Sequence, residues 1–116
     1  MSFANETLSR ENDVESVILQ LCFSDKPGDV RLRPNITNTK VCAEYIMNFK
    51  CSADANPAVD NYTLFKDNSV VNISSLGLWS ITMNTAGQFV YRCEANNSVG
   101  FDKSTEISVN VEGELV

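Results

Sequence analysis

The sequence predicts an all-β fold for this chain of 116 residues. Several short stretches alternate apolar and polar residues with a period of two, which is typical of half-buried strands, and clusters of turn-forming residues separate them. Helical periodicity is missing over any window of ten or more residues. Hydrophobic residues make up 43% of the chain and charged residues 21%, so we expect one packed core and no disorder.

The first strand predicted by alternation covers residues 45–51. Its apolar side chains share one face: Met47, Phe49 and Cys51. Residues 53–60 contain Asn56-Pro57, which breaks regular pairing and marks a loop. A second strand is predicted over residues 62–66, with Tyr62 and Leu64 turned inward.

The next strand is indicated by the spacing of Leu76, Leu78 and Ile81. Only residues 67–75 precede it, which leaves little room for long additional strands. In the register set by the two leucines, Trp79 points outward. A local shift of register that turns Trp79 into the core is the interpretation that we favour over an exposed contact residue.

The last two predicted strands form a hairpin after the turn at Ala86-Gly87. In the first of them the inward residues are Phe89, Tyr91, Cys93 and Ala95. Residues 96–100 are rich in turn formers, and residues 106–111 then place Ile107, Val109 and Val111 on one face.

Charge and hydropathy argue against two classes of partner. The formal net charge of −6 and the pI of about 4.5 would repel phosphate backbones, so we expect no nucleic-acid partner. No apolar run approaches the roughly 20 residues that a spanning helix needs, so this segment is not expected to insert into a membrane. Met1 is not followed by a secretory signal, and we interpret the sequence as a piece of a longer protein.

Cysteine and asparagine motifs indicate an oxidising, extracellular compartment. The chain has four cysteines, Cys22, Cys42, Cys51 and Cys93, and no histidine. No cysteine pair has the short spacing of zinc ribbons or knuckles, so disulfides are the better interpretation. Five sequons are candidate glycosylation sites, although about two would arise by chance and each asparagine could be a plain loop residue: Asn5, Asn35, Asn61, Asn72 and Asn96.

No arrangement of residues suggests catalysis or a cofactor. Without histidine there is no obvious base or metal ligand, and the aspartates of the predicted loops occur singly, without the density of a calcium loop. We therefore predict neither an enzyme nor a metal or cofactor site.

The order and spacing of five motifs carry a family resemblance. They are Cys51-Ser-Ala-Asp-Ala-Asn-Pro57, Tyr62-Thr-Leu-Phe-Lys-Asp67, Leu76-x-Leu78-x-x-Ile81, Ala86-Gly87 and Tyr91-x-Cys93-x-Ala95-x-Asn97-x-x-Gly100. Together, over residues 26–113, they resemble the short immunoglobulin modules of cell-surface adhesion molecules and receptors. The resemblance implies an antiparallel β-sandwich with Greek-key connections and sheets ABE and GFC, in which the five strands predicted above are, in chain order, strands B, C, E, F and G. It also implies a Cys51–Cys93 disulfide between strands B and F.

Three departures from the family pattern require adjustments in the core. Leu64 stands where strand C usually carries a tryptophan, so another aromatic residue must fill that space. Thr85 replaces the usual acidic residue of the E–F corner, which puts its ion pair in doubt. Gly87 lies two residues farther from Cys93 than the pattern expects, which predicts either a bulge or a longer strand F.

Residues 1–25 and the second cysteine pair leave alternatives open. The segment is either the tail of a preceding module or an extra strand of this domain, and residues 114–116 form a C-terminal tail. With Cys42 at the start of strand B, up to about 30 Å from Cys51, a Cys22–Cys42 disulfide should not form. If residues 14–23 fold back along the sandwich, the pair can form; otherwise each cysteine is free to bridge another domain or chain.

The resemblance implies protein recognition as the function. Phe65, Val90, Arg92 and Glu94 should face outward on the GFC sheet, and these residues and Trp79 are the candidate protein contacts. Ordinary exposed surface, with Arg92 and Glu94 paired to each other, is the alternative. We expect an extracellular module of adhesion or self/non-self recognition, homophilic or heterophilic, in a membrane-anchored or secreted parent with neighbouring immunoglobulin modules. A spacer domain and a growth-factor receptor ectodomain are the alternative functions.

Overall fold

The computed structural model describes residues 24–37 and 40–113. The Asn5 sequon, Cys22 and the tail at 114–116 lie outside the described residues. The described part contains nine strands and no helix: β1 (Asp25–Pro34), β2 (Lys40–Cys42), β3 (Ile46–Asn56), β4 (Asn61–Lys66), β5 (Ser69–Ser74), β6 (Leu78–Thr82), β7 (Gly87–Asn96), β8 (Phe101–Lys103) and β9 (Ile107–Glu112). The all-β fold class is confirmed.

The strands form two sheets packed around one core. The smaller sheet has the order β1-β3-β6, and the larger has the order β2-β9-β7-β4-β5, with β8 also paired to β7. The strands β3, β4, β6, β7 and β9 occupy the positions predicted for B, C, E, F and G. Compared with the predicted GFC sheet, the larger sheet has two additional edge strands. Strand β2 pairs in parallel with β9, and β5 pairs with β4.

Strand β5, like the short strands β2 and β8, is not predicted by the sequence analysis. Asp67 and Asn68 have φ values of 50° and 70° and join Lys66 directly to Ser69, which are register partners. Aspartate and asparagine tolerate this left-handed conformation. Two residues with positive φ are enough to close a hairpin, so a longer loop is not required. The short stretch before Leu76 is therefore long enough for a complete extra strand.

The register set by the two leucines is wrong for strand β6, and the favoured inward orientation of Trp79 is confirmed. Leu78 is 54% exposed, whereas Trp79 is only 6% exposed and lies opposite Phe49 of β3. Leu76, which is 73% exposed, precedes the strand. The small Leu64 side chain leaves room in the core, and the indole of Trp79 helps to fill it. Trp79 is therefore a core residue, which contradicts its expected role as an exposed contact.

The core is organised around the disulfide between Cys51 and Cys93, whose Cα atoms are 6.3 Å apart. The ring centroids of Phe49 and Tyr91 are 4.8 Å apart. The predicted inward faces of β3, β4, β7 and β9 are confirmed by their buried residues: Met47, Phe49, Cys51, Leu64, Tyr91, Cys93, Ala95, Val109 and Val111. Gly87 begins a continuous ten-residue β7, so the longer strand, and not a bulge, accounts for its position.

Stability at high pH should depend on Tyr91. Burial, followed by the nearby Asp67 carboxylate, raises the pKa of the Tyr91 hydroxyl above its ordinary value of 10.0. The folded state therefore favours the neutral phenol, and this stability is present below about pH 10 and is lost as the pH rises through the folded-state pKa.

Denaturant titrations from pH 8 upward, compared with Tyr91→Phe, measure this effect. Because the hydroxyl donates only to the Met83 sulfur, at 3.8 Å, Tyr91→Phe should change stability little at pH 8 and should flatten the decline above pH 10. Equal declines in both proteins would contradict the prediction.

Candidate protein-contact face

The outer face of the larger sheet brings together side chains from β4, β5 and β7. Directly opposite residues of paired strands project to the same side of a sheet. Val70 lies opposite Phe65, which lies opposite Arg92. In the next row Ile73 lies opposite Thr63, which lies opposite Glu94. The register therefore places three of the predicted contact residues in two adjacent rows.

Four apolar side chains on this face form what we name the contact patch: Phe65, Val70, Ile73 and Val90. Val70 and Ile73 are 60% and 58% exposed, and Phe65 and Val90 are half-buried. The backbone N–H of Val90 donates to Oδ1 of Asp67 at 2.9 Å, which holds the β4–β5 hairpin tip against β7. Two exposed and two half-buried apolar side chains thus share one face of the sheet, beside a hairpin tip that is hydrogen-bonded to β7.

An ion pair lies beside the contact patch. Nη1 of Arg92 is 2.7 Å from Oε2 of Glu94, and the two side chains are only 15% and 20% exposed. The Arg92 guanidinium also lies over the Phe65 ring, 4.0 Å from its centroid, a favourable cation–π geometry. The pair that the sequence left as an alternative is present, and the charge of Arg92 is compensated by that of Glu94.

Val70 and Ile73 are the members of the contact patch that sequence reasoning missed. Their signal is the run Ser69-Val-Val-Asn-Ile73, which follows the turn-forming Asp67-Asn68 and is rich in β-branched residues. Alternation is absent from it because β5 is an edge strand whose residues 69–73 are all exposed.

The asparagine side chains of the described sequons differ in their hydrogen bonds. Asn35 donates from Nδ2 to the Tyr45 hydroxyl at 3.2 Å and accepts from the Asn48 N–H at 3.1 Å. Asn72 accepts the N–H of Ile73 at 2.8 Å. Asn61 and Asn96 lie opposite each other at one end of the outer face.

Cys42 is an exposed free thiol at one end of the sandwich. It pairs with Glu112 in β2–β9, whereas the described chain starts at the opposite end, where the Asp25 carbonyl accepts a hydrogen bond from Asn97. The ten-residue β7 joins these ends and spans about 33 Å. Cys22 lies outside the described residues, so both alternatives for the Cys22–Cys42 pair stay predictions.

Membrane-spanning helices and metal-binding clusters are absent from the residues that the structure describes. No helix within residues 24–37 and 40–113 is long and apolar enough to span a bilayer. In the same ranges, no group of three or more cysteine, aspartate or glutamate side chains is placed to hold a metal ion.

Solved structures of several different proteins have a similar architecture. The PKD domain of human VPS10 domain-containing receptor SorCS2 superposes with a TM-score of 0.65 at 13% identity, covering 82% of this chain and 81% of that one. The tandem Ig repeats of Dlar give 0.54 at 21% identity, with 72% and 49% covered. Fibronectin(III)-like modules of CbhA from Clostridium thermocellum give 0.54 at 12%, with 77% and 47% covered. At these identities the similarity establishes the fold alone.

Sequence comparison gives a more specific result. The chain spans about half the length of the Dlar and CbhA chains that it resembles. No curated protein sequence matches it significantly. The family model described as "Immunoglobulin domain" matches residues 30–111, which is most of the chain and contains both core cysteines. The chain therefore belongs to the immunoglobulin domain family.

Proposed function

We propose that this domain is an extracellular protein-recognition module, acting in adhesion or self/non-self recognition, whose outer face binds a second copy of the chain. The observation that carries the proposal is the contact patch, in which two highly exposed β-branched residues adjoin an aromatic ring stacked under an arginine. Aromatic and arginine side chains are enriched at interface centres. Immunoglobulin domains are generally non-enzymatic, so we propose contact and no catalysis.

Charge favours a second copy as the partner on this face. The chain carries a formal net charge of −6, so two copies repel each other over most of their surfaces. At the centre of the outer face, however, Arg92 is neutralised by Glu94. Two copies that meet through this centre bury apolar area and bring together compensated ion pairs instead of lone arginine charges.

The expected contact is small and weak. Five strands about 4.8 Å apart and some 25 Å long present roughly 500 Å² on one face, whereas a stable interface buries about 800 Å² per partner. A contact of this size becomes effective when many copies act together on a surface. Adhesion proteins act in many copies on a surface, so an assay with many displayed copies is the informative one.

A structural spacer in a longer ectodomain is the second candidate function. The described chain begins beside Asn97 and ends beside Cys42, at opposite ends of the sandwich. A module with this arrangement can be joined to neighbours in an extended row. In that case the partner site lies on another module, and the outer face is ordinary apolar surface.

Bead aggregation tests the proposal directly. Beads that display the domain, made in an oxidising host, should clump, and the double variant Phe65→Ala/Arg92→Ala should abolish clumping. A second variant, Val70→Thr/Ile73→Thr, removes exposed apolar surface and keeps the β-branched shape, so it should abolish clumping without a change in melting temperature.

The matched control lies on the other sheet. Lys50 and Leu78 are exposed register partners on the smaller sheet, and Lys50→Ala/Leu78→Ala should clump like the parent. Dispersed parent beads would reject the second copy as partner and leave a heterophilic receptor module or a spacer. Clumping that survives both patch variants would place the contact elsewhere.

A further inference from the structure

We propose that Asn61 and Asn96 form one glycosylation site, which carries a single N-linked glycan, normally on Asn96, with its first sugar resting on the exposed ring of Phe101. This inference rests on the proposed extracellular function and deepens it, because the glycan would mark one boundary of the outer face.

The register of three strands places these residues in one row. Asn61 of β4 lies opposite Asn96 of β7, and Asn96 lies opposite Phe101 of β8. The neighbouring pair Tyr62 and Ala95 points into the core, so the row projects to the outer side. Asn96 is therefore flanked by a second sequon on one side and by an aromatic ring on the other.

The two carboxamides are free to be modified but are too close to be modified together. Among the described residues, neither side chain makes a hydrogen bond, in contrast to that of Asn35. Directly opposite residues have Cβ atoms about 5 Å apart. A pyranose ring with its N-acetyl group is wider than this spacing, so two glycans would force β4 and β7 apart at this end.

Phe101 favours, among folded chains with one glycan, those that carry it on Asn96. Its side chain is 55% exposed, which is unusual for an aromatic residue in a strand. The face of an aromatic ring carries partial negative charge and attracts the polarised C–H groups of a sugar. Asn96 is one strand away from Phe101 and Asn61 is two strands away, about 10 Å. A sugar on Asn96 can therefore reach the ring.

The modification follows ordinary N-glycosylation chemistry. Nδ2 of Asn96 forms a bond to the anomeric carbon of N-acetylglucosamine, supplied by an oligosaccharide linked to a lipid diphosphate. The carbon–oxygen bond to the diphosphate breaks, the diphosphate leaves with the electron pair, and Nδ2 loses one proton. Because transfer occurs on unfolded chains, folding then selects against chains modified at both sites.

Secretion of the 1–116 chain from human cells, with an added signal peptide, tests the inference. Asn5→Gln, Thr37→Ala and Asn72→Gln remove the other sequons, and Thr37→Ala leaves the Asn35 hydrogen bonds in place. Intact mass should show one glycan per secreted molecule, and peptide mapping should place it on Asn96. The further change Asn96→Gln should transfer the single glycan to Asn61. A major secreted species with two glycans, or with none, would overturn the proposal.

A melting comparison tests the part played by Phe101. With the glycan on Asn96 trimmed to one N-acetylglucosamine, the protein should melt a few degrees higher than the same protein made without glycans in a bacterial periplasm. Phe101→Ala should remove this difference and leave the unglycosylated protein unchanged. If the difference persists in Phe101→Ala, the ring is not the sugar's resting place. None of these measurements depends on self-association, so the bead assay can fail while this inference holds.

Discussion

The variant Cys51→Ala/Cys93→Ala is expected to lose about 4 kcal/mol of unfolding free energy, and it should fail to fold at about 37 °C. The disulfide joins residues separated by 42 positions and lies at the centre of the core, where both cysteines are almost fully buried. Without the disulfide the unfolded chain has more conformational entropy, which favours unfolding. The folded state also loses the packing of the two buried sulfur atoms. Urea unfolding at 25 °C, followed by tryptophan fluorescence, measures the loss.

Cys42 provides the matched control for this experiment. It is an exposed thiol in a short edge strand and has no disulfide partner among the described residues, so Cys42→Ala removes no core volume. We expect its unfolding curve to overlay that of the parent. A disulfide variant that unfolds at the parent's urea midpoint would contradict the central role of the Cys51–Cys93 pair.

The second large effect is expected at Trp79. Trp79→Ala should cost about 3–5 kcal/mol, the usual range for removing a large buried aromatic side chain. The residue is 6% exposed, lies opposite Phe49 and belongs to the same buried cluster as Leu64 and the two disulfide cysteines. Chemical denaturation followed by far-ultraviolet circular dichroism is the appropriate measurement, because the variant lacks the fluorescent residue.

Two neighbouring substitutions make the test of Trp79 specific. Leu78→Ala, at a residue that is 54% exposed on the opposite face of β6, should change stability by less than about 0.5 kcal/mol. Trp79→Phe should fall in between, since the buried Nε1 has no hydrogen-bond partner among the described residues and its loss forfeits no bond. A larger cost for Leu78→Ala than for Trp79→Ala would mean that the leucine register is the true one.

The proposed contact face and the glycan site occupy the same side of the larger sheet. The Asn61–Asn96 row is followed by the row of Ile73 and Glu94, and only then by the row of Phe65. A glycan that leans over Phe101 extends toward β8, away from Val70 and Ile73 on β5. The location of the sugar therefore determines how much of the contact patch a second copy can approach.

The sequence by itself determined the parts of the fold in which one face of a strand is buried. Strands β3, β7 and β9 each bury alternate residues in the core, so the pattern of apolar residues is visible in the chain and predicts both the strands and their inward faces. The family resemblance carried by the spacing around Cys51 and Cys93 predicted their disulfide. Both cysteines belong to the same buried pattern of their strands.

Only the tertiary structure decided the features that depend on how strands meet. The orientation of Trp79 follows from the volume that Leu64 leaves on the facing sheet, and β6 alone carries no signal of that volume. Strand β5 lies at an edge with its apolar residues exposed, so it has no alternation to detect. The contact patch and the Asn61–Asn96 pair exist because cross-strand register brings together residues far apart in sequence, and register is set by packing and turn geometry that no single segment encodes.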